Sequence, residues 1–371
     1  MKKIIGICDL HNEPQLGELT AHRPLGSVSF LGRYGLIDFT LSNFSNSSID
    51  RVYILARSGA ARLRKHLGNG AIWTNNTKRG FVGLYINERG LANPTFNTDL
   101  NNIKENLNIN DIDFDYAVVA PAYFLASMDF RPIINAHAES EADITVVYTK
   151  VDNADQDYFR CDKLRFGEDN KVIKSTKNLG RSPNADISLD TYIISKKAFK
   201  KMISDVSKVS ELYSIKDMVN YYIEEEELDI RGYRFDGYVV PILSLNKYVE
   251  HSLNLLNYHI RNKLMLPEWP IYTTTHNTPP ALYGRNADVE NSFIANGAII
   301  KGKVKNCIIS REVVVEKDAD LKNCIIFTHS EIGRGVKMEY VVCDKEAKVS
   351  HVEKLIGKED EVIFIDQGAK I

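Results

Sequence analysis

The stretch "VKNCIISREVVVEKDADLKNCIIFTHSEIGRGVKMEYVVCD" (residues 304–344) holds one pattern three times. "VKNCIIS" at 304, "LKNCIIF" at 321 and "MEYVVCD" at 338 are variants of a single unit, and "VENSFIA" at 289 extends the series backward, with spacings of 15, 17 and 17 residues. Within a unit, apolar residues recur six apart: Ile294 and Ile300, then Ile309, Val315 and Leu321, then Ile326 and Ile332. One inward side chain every six residues, three times per repeat, predicts a triangular parallel β-helix whose coils stack neighbour on neighbour. Cys307 and Cys324 fall at equivalent points of successive coils. Packing of one upon the other is therefore expected of them, rather than redox chemistry.

Upstream the pattern changes. "LMLPEWPIYTTTHNTPPALYG" carries prolines at 267, 270, 279 and 280 and reads as an extended linker. Residues 1 to about 255 alternate short apolar runs with helical patterns, such as "RVYIL" before "ARSGAARLRKHL" and "YAVVAP" before "MDFRPIINAHAES". That alternation predicts a Rossmann-like α/β domain with a mostly parallel sheet, whose ligands bind beyond the carboxyl ends of the strands. The expected organisation is an α/β domain over 1–255, a linker over 256–288 and the β-helix over 289–371. "ELYSIKDMVNYYIEEEELD" reads as a surface helix ending in a solvated acidic run.

With 371 residues and a net charge of −2, the chain has no basic field to recruit nucleic acid or an anionic membrane. No apolar run is long enough for a membrane span, and the start "MKKII" lacks a signal-peptide core. Five scattered cysteines without a CxxC pair point to free thiols in a reducing compartment, and to no zinc site. A cytoplasmic location follows as the expectation. His11, His22, His66 and His137 have no metal-ligand spacing.

The first strand-like run, Lys3 to Cys8, leads into a loop placed as phosphate-binding loops are. From Asp9 to Thr20 that loop holds a single glycine, Gly17, and no Lys or Arg. "GRYGLIDFTLSNFSNSSIDRVYIL" (32–55) resembles the "GGKYRLIDFPLSNCINSGI" block of glucose-1-phosphate adenylyltransferases, the ADP-glucose pyrophosphorylases of glycogen and starch synthesis. "SMDF" (127–130), "ISLDTYII" (187–194) and "LNKYVEHSLNLL" (245–256) are similar to that family's "KMDY", "ASMGIYVF" and "TIEAYWEANLDLL". The resemblance covers essentially the whole chain, is nearest to the accessory glycogen-biosynthesis subunit type, and implies a nucleotidyltransferase-like domain followed by a left-handed β-helix.

The family's reaction attacks the α-phosphorus of ATP with glucose 1-phosphate, so it depends on neutralising phosphate charge and aligning two substrates. Carried over position by position, the groups that do this are missing. The loop motif "GGxGxRL" lies over "LHNEPQL" (10–16), with Leu10 and His11 for the paired glycines and Gln15 for the phosphate-binding Arg. The Lys of "RAKP" becomes Leu25. The metal-binding Asp of "GDH" becomes Tyr123, and that of "WEDVGT" becomes Pro241. On the sugar-phosphate side, Lys177 matches the family's "EKP" lysine and Ser188 the serine of "SMG", with Asp190 at its glycine. A solvated surface lysine accounts for Lys177 equally well. Arg23 and Arg33 flank the segment where bacterial relatives bind anionic activators, though Ser29 and Gly35 replace other polar positions there. Ion pairing within the fold is the favoured reading of those two arginines.

The expectation is a regulatory, catalytically degenerate subunit with no catalytic residues and no metal of its own. Mg²⁺ would belong to a catalytic partner in a hetero-oligomer, expected as a tetramer, with a sugar phosphate as a candidate effector. One alternative is an active nucleotidyltransferase with displaced ligands such as Asp9, Glu13 and Asp190. A more distant one is a hexapeptide acyltransferase using His329 or His351.

Overall fold

The computed structural model describes residues 2–57, 59–76, 78, 80–87 and 93–371. Its first part is built on a nine-stranded sheet. The strands are β1 (Ile4–Leu10), β2 (Arg51–Ala56), β3 (Phe81–Ile86), β4 (Tyr116–Pro121), β5 (Ile144–Val151), β6 (Asp162–Phe166), β7 (Val172–Lys177), β8 (Ala185–Ser195) and β9 (Ile230–Arg234). Their order is β7–β6–β8–β4–β1–β2–β3, with β5 beside β8 and β9 beside β5. The block β4–β1–β2–β3 is parallel throughout, while β8 runs antiparallel to β4 and β5. β1 is central and buried from Ile5 to Leu10, which is why it is written as an unbroken apolar run.

Helices pack on both faces: α1 (Ile37–Asn46), α2 (Ala60–Leu67), α3 (Asp99–Asn106), α4 (Phe130–Ser140), α5 (Lys196–Val209) and α6 (Ile215–Glu224). α6 begins in a capping box between Ser214 and Asp217, which satisfies backbone donors that a helix start otherwise leaves open, and it ends at Glu224, the first residue of the acidic run. α1 is buried along Ile37–Ser45, unusual for a helix with five Ser, Thr or Asn residues. Some of its polar groups are taken up by residues 269–272 of the later segment. Asn43 Oδ1 accepts from Trp269 Nε1 at 2.8 Å, and Ser42 Oγ accepts from Tyr272 N at 2.8 Å.

The segment expected as linker is therefore bound down rather than free. It also holds a helix, α8 (Tyr258–Leu264), which follows α7 (Leu245–Asn254). The solenoid begins at Leu282–Tyr283, inside the expected linker. It is a left-handed parallel β-helix of three five-stranded parallel sheets. Ile300, Ile309, Val315, Leu321, Ile326 and Ile332 are buried within it. Cys307 and Cys324 lie one above the other in its interior, and Cys324 N donates to Cys307 Sγ at 3.3 Å.

One of the three sides also presents apolar residues outward. Ile308, Ile325 and Val342 share a register row, and with Phe327 they join the core cluster of the α/β domain. Burying such a side chain contributes roughly 1.5–3 kcal/mol, so this face fastens the solenoid to the sheet domain.

Candidate functional site

The loop after β1 crosses the carboxyl ends of the parallel strands, where ligands of open α/β sheets bind. Its backbone is held by its own acids. Asp9 Oδ1 accepts from His11 N at 2.9 Å. Asn12 Nδ2 bridges Asp9 and Asp99, at 3.1 Å to each. Burial pushes the Asp9 carboxyl up to about 6 and raises Asp99 well above the usual range. His11 is buried, and desolvation with the nearby Arg57 holds its imidazole near 3, so it is neutral. Leu10 lies in the core and Gln15 on the surface. Leu25 is buried too, and what it offers the site is its backbone. The two oxygens of Glu13 accept from Leu25 N at 2.7 Å and from Gly26 N at 2.9 Å. Burial pushes this carboxyl up to about 8, against the two amides that lower it.

Tyr123 and Pro241 are brought side by side. Short antiparallel strands Phe124–Leu125 and Val240–Pro241 pair there, and Ile242 N donates to Tyr123 O at 2.8 Å. The Tyr123 hydroxyl donates to Asp190 Oδ2. Asp190 stands at a bulge of β8 with φ +48°, the left-handed region that favours glycine. Ser188 Oγ donates to its other oxygen at 3.3 Å. Lys216, from the start of α6, lies 2.5 Å from Asp190 and 3.1 Å from Asp162, and Lys177 lies 2.6 Å from Asp162. Two carboxylates thus face two ammoniums. Burial would lower the Lys216 ammonium, but Asp190 and Asp162 together raise it. Burial would raise Asp162, but Lys216 and Lys177 hold it below the usual carboxylate range.

Comparison with known proteins fits this scaffold. The nucleotidyl transferase family model matches residues 14–236, and a GlmU-like C-terminal hexapeptide model matches 279–362. The glycogen biosynthesis protein GlgD of Bacillus subtilis (strain 168) is 30% identical over 360 residues, spanning 95% of this chain and 92% of that one. The glucose-1-phosphate adenylyltransferase of Clostridium perfringens (strain 13 / Type A) is 27% identical, over 86% of this chain and 81% of its own. That of Bacillus thuringiensis (strain Al Hakam) is 25% identical over 95% of each. This chain belongs to the glucose-1-phosphate adenylyltransferase family. Its place in glycogen biosynthesis comes with the family.

Tyr123 and Pro241, the positions matched in the sequence to the family's metal-binding carboxylates, can be set against what the ion needs. Mg²⁺ would need carboxylate oxygens with free lone pairs. Tyr123 and Pro241 offer none, and both oxygens of Asp190 already face donors. The residues present do not fit the ion. The arginines separate. Arg23, a candidate effector residue for which the sequence favours ion pairing within the fold, is buried and faces inward: Nη2 lies 2.7 Å from Asp344 Oδ2 of the solenoid, and Nε donates to Leu19 O at 2.7 Å. It is not available to a ligand. Arg33 instead lines a cavity of about 400 Å³ between the two domains, with Tyr34, Arg261, His276, Phe293 and Arg311. Arg261 stacks over the Phe293 ring at 5.1 Å. His329 is paired with Glu312 at 3.0 Å, and His351 is exposed.

Lys216, Asp162, Arg261 and Arg311 were not singled out by the sequence. Each lies far along the chain from the residues it meets, and no local motif marks it. The signal for Glu13 was present, since it occupies the last glycine position of "GGxGxRL".

Proposed function

We propose that this chain is the regulatory, catalytically degenerate subunit of glucose-1-phosphate adenylyltransferase, acting in a hetero-oligomer with a catalytic homologue. The observation that carries the proposal is the closed network at the metal positions. Tyr123 and Lys216 both engage Asp190, the carboxylate that the Tyr123 hydroxyl reaches, so its oxygens are not open to Mg²⁺ and the Lys216 ammonium is already paired rather than free for a triphosphate. Adenylyl transfer needs charge on the phosphates neutralised in the transition state. A site that has neutralised itself has nothing to supply. Mg²⁺ and both substrates then belong to the partner subunit.

The same observation weighs against transfer by displaced ligands. Asp9 accepts from His11 N and the Asn12 side-chain amide of its own loop, Glu13 from the backbone amides of Leu25 and Gly26, and Asp190 from Lys216 and Tyr123. A regulatory role is further supported by the interdomain cavity. Three guanidiniums beside two aromatic rings suit a sugar phosphate, gripped through paired N–H donors. The deciding experiment measures pyrophosphate release from ATP and glucose 1-phosphate by this chain alone and mixed with a catalytic homologue.

A further inference from the structure

We infer that residues 23–26 are a strap through which the solenoid holds the degenerate loop shut. The strap has two anchors on opposite sides. At its start, Arg23 reaches the solenoid: its guanidinium pairs with Asp344 at 2.7 Å and lies over the Phe327 ring at 5.8 Å. Two residues later, the amides of Leu25 and Gly26 are both taken by Glu13, from the loop after β1. Pro24 joins the anchors, and its ring fixes the backbone between them.

The strap has no slack. A Cβ at Gly59 would come within 2.8 Å of Pro24 Cδ and 3.2 Å of Arg23 Cα, so the chain at Gly59, in the left-handed region at φ +68°, presses on its outer side. A Cβ at Gly26 would meet Leu10 Cδ2 at 3.1 Å and Ile37 Cβ at 3.3 Å, so its inner side rests on the root of the loop. A shift at Asp344 is therefore passed to Glu13 without room to dissipate, because close-packed contacts transmit displacement. The Arg23 anchor is also incomplete. Its Nη1 is buried without a hydrogen-bond partner, which disfavours the closed state relative to one where that donor is satisfied.

The strap gives the regulatory reading a route from the solenoid to the nucleotide loop. Its existence is a property of the isolated chain, so it can fail while that reading stands, and the reverse. Hydrogen exchange on the full-length chain tests it, in the wild type and in Asp344→Ala and Glu13→Ala. In Asp344→Ala, amide exchange across 10–16 and 23–27 is expected to rise tenfold or more, with α5 unchanged. Coupling is reciprocal, so Glu13→Ala should raise exchange around 342–346. If Asp344→Ala does not fold, the Glu13→Ala arm decides alone. Exchange that rises only beside the substituted residue, in whichever variants fold, would overturn the inference.

Discussion

Lys216 Nζ lies 2.5 Å from Asp190 Oδ2, and this contact joins the start of α6 to the bulge of β8. It sets the electrostatics of the whole region, because both partners are largely buried. Removing the cation leaves Asp190 uncompensated and Asp162 with Lys177 alone. Lys216→Met is expected to cost about 3–5 kcal/mol in urea unfolding, the usual loss when a buried pair is broken from one side. Lys177→Ala, whose side chain is 56% exposed, should cost about 1 kcal/mol or less. Similar small losses from both would show that the network is solvated rather than buried.

Restoring the carboxylates should not restore catalysis. Tyr123→Asp combined with Pro241→Asp would still leave Glu13 on the amides of Leu25 and Gly26, and Gln15 in place of a cation. Groups that act as a unit return little when restored in part. Turnover measured on the double variant should stay within about tenfold of the wild type. A hundredfold gain would mean that the loop is still competent.

Stability should fall as pH rises above about 5. The carboxyls of Glu13 and Asp9 are raised in the folded chain, to about 8 and about 6. A raised group binds its proton more tightly when folded. Its contribution is complete below the unfolded value and is lost as pH climbs through the folded one. Melting temperature should decline between about pH 5 and 8, and Glu13→Gln should flatten the part of the decline between about 6 and 8. An unchanged profile in Glu13→Gln would show that this carboxyl is ionised throughout.

The solenoid is legible in the sequence because its periodicity is local: inward residues six apart and coils 15 or 17 apart are written in one stretch. The doubled isoleucines of "NCIIS" and "NCIIF" carried a further message. An isolated β-helix buries only alternate residues of a strand, yet Ile308 and Ile309 are both buried, because the α/β domain covers the outer face. The linker's anchoring to α1 was not legible, since Trp269 and Asn43 meet only in the folded chain. The reading of Gln15, Leu25, Tyr123 and Pro241 as replacements rests on their position in the sequence alone. What fills their place could not be read there, because Lys216 and Glu13 act through long-range contacts.

The two arginines should behave oppositely. Arg33→Ala is expected to weaken binding of a sugar bisphosphate at least tenfold in calorimetry, with stability unchanged to within about 0.5 kcal/mol, as for other surface substitutions. Arg23→Ala should instead destabilise the chain by about 3–5 kcal/mol, because Asp344 is left buried and unpaired. Equal loss of stability in both variants would remove Arg33 from any ligand site.

The most direct measurement is pyrophosphate release in saturating ATP, glucose 1-phosphate and Mg²⁺, by this chain alone, by a catalytic homologue alone, and by their mixture. Alone, this chain should give only trace release, and the mixture should exceed the homologue's rate or change its response to sugar phosphates. Turnover by this chain alone near or above about one per second, in the range of ordinary enzymes, would contradict the degenerate reading. A mixture that behaves as the homologue does alone would contradict the regulatory one.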